Sequence, residues 1–80
     1  MFRRLIKTTD IDIAQQTFSV RYYEAETLGG VRRYCSEIVL GPDDRVILDG
    51  DSVNGLESKV ACLVPATVYS RLLASRPHAA

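Results

Sequence analysis

The chain has no tryptophan, one methionine, one histidine and two cysteines among its 80 residues, and its ten basic residues are balanced by ten acidic ones. Each scarcity excludes a kind of chemistry. His78, the one histidine, stands third from the end, where nothing is placed to hold it against a nucleophile, so a catalytic triad is not expected. Cys35 and Cys62 have no Cys or His nearby to complete a zinc set, and two reduced thiols fit a cytoplasmic chain. A formal net charge of zero gives no overall field to draw the chain onto nucleic acid or an anionic membrane. The opening MFRRLIKTTD lacks the long apolar run of a signal peptide or membrane span. No GxGxxG, Walker-type loop or HExxH occurs, and the expectation is a protein that is not an enzyme and binds no cofactor or metal.

What is present suits one small folded domain. Hydrophobic residues make up 46% and charged residues 25%, ordinary for a globular chain and unlike a disordered one. The expected organisation is a domain over 1–76, with an N-terminal arm or short strand at 1–13, a β-meander at 14–49, helices at 52–76 and a disordered tail at 77–80. This length lies near the lower limit of what a single apolar core can stabilise, so an additional interface would help.

The meander is read from β-branched and aromatic residues in alternation. Gln16 to Tyr23 is one strand, Val31 to Leu40 the returning strand, and Gly29-Gly30 in the link supplies positive φ. Setting Tyr22 opposite Tyr34 places Val20 opposite Ser36 and Phe18 opposite Ile38, with Glu24 against Arg32. A one-residue slip would turn Arg33 and Glu37 toward the apolar side. Gly41-Pro42-Asp43-Asp44 marks a turn into a third strand, Arg45 to Asp49, whose Val46 and Leu48 join the inner face.

From Ser52 to Ser75 the apolar period changes to that of a helix: Leu56, Val60, Leu63, Val64, Val68 and Leu72 share one side. Asp51 or Ser52 is the expected N-cap, with Asn54 and Glu57 at competing capping-box spacing. Pro65 lacks an amide hydrogen and predicts a break or kink there. A rival reading takes Asn54-Gly55 as a hairpin turn and Leu56 to Val64 as a fourth strand. The fold class expected is α+β, a three-stranded antiparallel meander packed on one face by a C-terminal helical segment broken or kinked at Pro65.

Few residues suggest a site. Asp49, Asp51 and Asn54 resemble part of a calcium loop, but Val53 and Val60 stand where oxygen ligands belong, and turn and cap chemistry accounts for the same residues. Ser52-Val53-Asn54-Gly55 matches the SxxG part of the second PilZ-family motif. Gly50 replaces that motif's Asp or Asn, however, and no RxxxR pair occurs, so the family's function is not carried over.

Eight of the ten cations are Arg, and Arg21-Tyr22-Tyr23 and Arg32-Arg33-Tyr34 place cations beside aromatics on adjacent strands. Arg21, Tyr23, Arg32 and Arg33 would form a nucleic-acid face. A three-stranded sheet followed by a helix is also the plan of a class of DNA-binding domains, an architectural likeness without a shared motif. The leading expectation is different. Cys35, Val39 and Ile47, flanked by Arg21, Tyr23 and Arg33, form an apolar strip on the sheet face away from the helix. Either Phe2, Leu5 and Ile6 cover it, or a protein partner or a second copy of the chain does. The function expected is a non-enzymatic binding or assembly module, with nucleic-acid binding as the alternative.

Overall fold

The computed structural model describes residues 3–74. The meander has four strands and not the expected three: β1 (Arg3–Ile13), β2 (Gln16–Glu26), β3 (Arg32–Gly41) and β4 (Asp44–Gly50), paired antiparallel in chain order. One helix, α1 (Val53–Ala74), follows and crosses one face of the sheet, packing chiefly over β3 and β4.

The additional strand is β1, which pairs with β2 from Arg3↔Ala25 to Ile13↔Gln16. Two features hide it from pattern reading. A β-bulge between Leu5 and Lys7 breaks its alternation. Its hairpin also turns at Ala14 and Gln15, with φ of 53° and 66°, the positive values a two-residue I′ turn needs and that Asn-Gly ordinarily supplies. Left-handed backbone costs a non-glycine residue roughly 1–2 kcal/mol. Ala14→Asn combined with Gln15→Gly is therefore expected to stabilise the domain by about 1–2 kcal/mol, glycine's unfolded-state entropy offsetting part of the gain. Urea unfolding checks this through a raised midpoint at unchanged slope.

The register of β2 against β3 differs by two residues from the expected one: Tyr22 lies opposite Ser36, Val20 opposite Ile38 and Glu26 opposite Arg32. The link sets this. It spans 27–31, closed by Thr27 N–H to Val31 O at 2.8 Å, Gly30 N–H to Thr27 O at 3.0 Å and Val31 N–H to Thr27 Oγ1 at 3.1 Å, with Gly30 at φ 82°. Because side chains alternate with period two, a shift of two leaves every residue on its assigned face. The Pro42-Asp43 turn leads into β4, which sets Val46 opposite Ile38 and Leu48 opposite Ser36.

The core lies between this inner face and α1. Ile13, Phe18, Val20, Tyr22, Ile38, Leu56, Val60, Val64 and Val68 are buried, with Ile11, Tyr34, Leu40, Val46 and Leu48 packed against them. Leu63 and Leu72, expected in the core, are 46% and 43% exposed. The buried helix residues recur at strict four-residue spacing, a repeat that passes over Leu63, while Leu72 continues the repeat near the C-terminal end of the helix. Ser36 sits within this core, its Oγ buried without a hydrogen-bond partner.

Ser52 caps the helix: its Oγ accepts the Gly55 N–H at 3.1 Å and its carbonyl accepts the Leu56 N–H at 3.0 Å. The rival fourth strand at 56–64 is absent, since those residues are helical. The helix also runs through Pro65 as one element, correcting the expected break. Pro65 cannot donate to the carbonyl four residues back, which belongs to exposed Ala61 and so stays accessible to water. Buried Val60, Val64 and Val68 hold the axis to the sheet on both sides of the proline.

Polar contacts tie α1 down along its length. Lys7 pairs with Glu57, Lys59 Nζ donates to the Asp49 carbonyl at 2.7 Å, and Arg71 donates to both Asp44 carboxylate oxygens at 2.9 and 3.2 Å. The bonds and charge of Asp44 raise the Arg71 pKa above its ordinary value. The expected tail at 77–80, and Phe2, lie outside the described residues.

Candidate interaction surface

Alternation along the strands decides which side chains reach the face opposite the helix. On β2 these are Thr17, Ser19, Arg21, Tyr23 and Ala25, and the pairings extend the face to Arg33, Cys35, Glu37 and Val39 on β3 and to Arg45, Ile47 and Asp49 on β4. Arg21, Tyr23, Arg33, Cys35, Val39 and Ile47 thus share one surface. Val39 and Ile47 are 54% and 58% exposed. They lie diagonally across the β3–β4 pair, since Val39 opposes Arg45 and Glu37 opposes Ile47. Leu5 opposes Tyr23 at the far side of the sheet and, with Ile6, is itself exposed, so β1 extends the apolar area without covering Val39 or Ile47.

Glu37 is the polar centre of this surface. Its side chain is only 8% exposed although no described segment lies over this face, because its neighbours fold across it: Arg45 Nη1 donates to Oε2 at 3.1 Å and Arg21 Nη1 lies 4.0 Å from Oε1. A carboxylate so far withdrawn from water needs such charged donors. Arg33 is held in the same way from β4 and the following loop. It donates to Asp49 at 3.0 Å and pairs with Asp51, and the hydrogen bond and charge of Asp49, then the charge of Asp51, raise its pKa above the ordinary value. Those contacts also account for the aspartates that resemble a calcium loop. Among the described residues no three His, Cys, Asp or Glu groups converge as a cation would need.

Arg32 does not share the surface. It alternates with Arg33 and opposes Glu26 on the helix side, so the four residues of the nucleic-acid alternative divide between two faces. Sequence reasoning missed Arg45, whose two-residue spacing from Ile47 was the available signal; Leu5 it offered as cover for the strip, in a segment read as an arm or short strand. On the helix side, a hollow of about 330 Å³ is floored by Phe18, Leu40 and Val68 beside the Asp44–Arg71 pair, and one of about 230 Å³ lies between β1 and α1 beside Lys7 and Glu57. Asp44 and Arg71 at the first, and Lys7 and Glu57 at the second, are already engaged with one another. Among the described residues no helix is long and apolar enough to cross a membrane.

No protein-family model, curated protein or solved structure matches the chain.

Proposed function

We propose that this chain is a non-enzymatic binding or assembly module that docks a protein, or a second copy of itself, on the open face of its sheet. The observation that carries the reading is the exposure of Val39 and Ile47 side by side on a face that no described segment covers. Around them, Arg21, Arg33 and Arg45 are each matched by a carboxylate. The surface therefore offers apolar contacts interleaved with paired charges of both signs, a mixture a protein partner can match.

Nucleic-acid binding has less support. A phosphate-binding face needs cations free to neutralise phosphates, whereas Arg21 and Arg33 face acids and Arg32 lies on the other side.

Val39→Asp with Ile47→Asp tests the proposal, since both positions are exposed and the change is expected to leave folding intact. Proteins recovered with the wild-type chain from cell extract should be retained at least tenfold less by the double variant. Equal recovery of every partner would remove this face from the interface. Salt-dependent binding to single-stranded DNA that survives the double variant and is lost with Arg21→Ala and Arg33→Ala would favour the nucleic-acid alternative.

A further inference from the structure

The strand that the sequence suggested only as an arm or short strand is also the sheet's long open edge. β1 has 11 residues, roughly 37 Å at the usual rise, and among the described residues it pairs on one side alone. Its other side presents main-chain donors and acceptors to solvent. Charge is segregated along it: Arg3, Arg4 and Lys7 fall in the first half and Asp10 and Asp12 in the second.

Part of this charge is already used inside the molecule. Arg4 pairs with Glu24 at 3.4 Å, and Lys7 with Glu57. Three groups have no opposite charge among the described residues. Arg3 lies over the Tyr23 ring, 4.3 Å from its centroid. Asp10 and Asp12 accept only from the hydroxyls of Ser19 and Thr17.

The bulge gives these three a common side. Arg3 opposes Ala25, Asp10 opposes Ser19 and Asp12 opposes Thr17, all outer-face positions of β2. An unbroken alternation from Arg3 would have turned both aspartates toward the helix side; the extra residue between Leu5 and Lys7 reverses the parity.

We propose that β1 pairs antiparallel with β1 of a second copy about a two-fold axis near the strand's middle, joining two sheets into one of eight strands. Antiparallel pairing sets the basic end of one copy against the acidic end of the other, with Arg3 and the partner copy's aspartates on the same face. Parallel pairing would set like charge against like. Charged edges ordinarily keep strands apart because like meets like; here the two halves carry opposite signs, and the same groups select one orientation of one partner. The inference rests on the assembly reading and assigns the second copy to the edge, leaving the Val39–Ile47 face open for another protein.

Sedimentation of the full chain over a range of concentrations tests this, using two charge-reversed variants: Arg3→Asp with Arg4→Asp, and Asp10→Arg with Asp12→Arg. The wild type should dimerise, with dissociation increasing as salt rises. Each variant alone should dimerise at least tenfold more weakly, and an equimolar mixture of the two should recover the dimer as a heterodimer. Because a variant can fail to fold, amide exchange of the wild type supplies a second measurement: β1 should gain protection as concentration rises. A wild type that stays monomeric, or β1 exchange that ignores concentration, overturns the edge pairing and leaves the open-face reading to its own test. A dimer that survives both reversals but is lost with Ile47→Asp overturns the edge and supports the face.

Discussion

Leu56→Ala should lower the unfolding free energy by about 2–5 kcal/mol, the range for removing a large aliphatic side chain from a site that cannot collapse. Leu56 is fully buried in the first turns of α1. It also lies against the end of β4, where a methyl built on Gly50 would stand 3.5 Å from its Cδ1. The site thus joins the start of the helix to the sheet. A domain of this length is held by only about 4–12 kcal/mol in total, so a large part of its stability depends on one side chain. Thermal unfolding should fall by about 10–30 °C. Leu63→Ala on the same helix, at a residue 46% exposed, should cost less than about 1 kcal/mol. Equal losses at the two positions would mean that the helix presents a different face to the sheet.

Pro65→Ala is expected to act in the opposite direction, raising stability by about 2–3 kcal/mol, close to the difference between proline and alanine inside a helix. The alanine amide would supply the missing donor to the Ala61 carbonyl, within residues that are already helical on both sides. Denaturant unfolding measures the gain. A lowered midpoint would show that the proline ring makes contacts outweighing the missing bond.

The contrast between Pro65 and its surroundings shows what the sequence carries. Proline's local preference argues for a break, but the four-residue repeat of Leu56, Val60, Val64 and Val68 continues on both sides, and packing against the sheet outweighs one missing hydrogen bond. The faces of β2, β3 and β4 were legible because alternation survives a two-residue shift in register. Register itself was not, because it depends on where β2 ends and the 27–31 link closes. The outer-face positions of Arg21, Tyr23, Arg33, Cys35, Val39 and Ile47 followed from the same alternation. β1 was legible only as an arm or short strand because its two strongest signals are disguised: Ala14-Gln15 adopts backbone angles that Asn-Gly would have advertised, and the bulge interrupts the period. The near-burial of Glu37 had no sequence signal, since it arises from Arg21 and Arg45 reaching over it from two neighbouring strands.

The regular spacing of the buried helix residues has a consequence for how the helix finds its place. Slid along its axis by one turn, about 5.4 Å, α1 would set valine in place of valine at two of the three positions Val60, Val64 and Val68, so the middle of the stripe does little to mark the alignment. Between Val60 and Val68, apolar burial alone is a ruler with identical graduations. Glu57 on Lys7, Lys59 on the Asp49 carbonyl and Arg71 on Asp44 act as index marks at three heights, and one turn of slippage parts all of them together. Surface pairs of this kind add little to total stability, but here they distinguish one alignment from its near-equivalents.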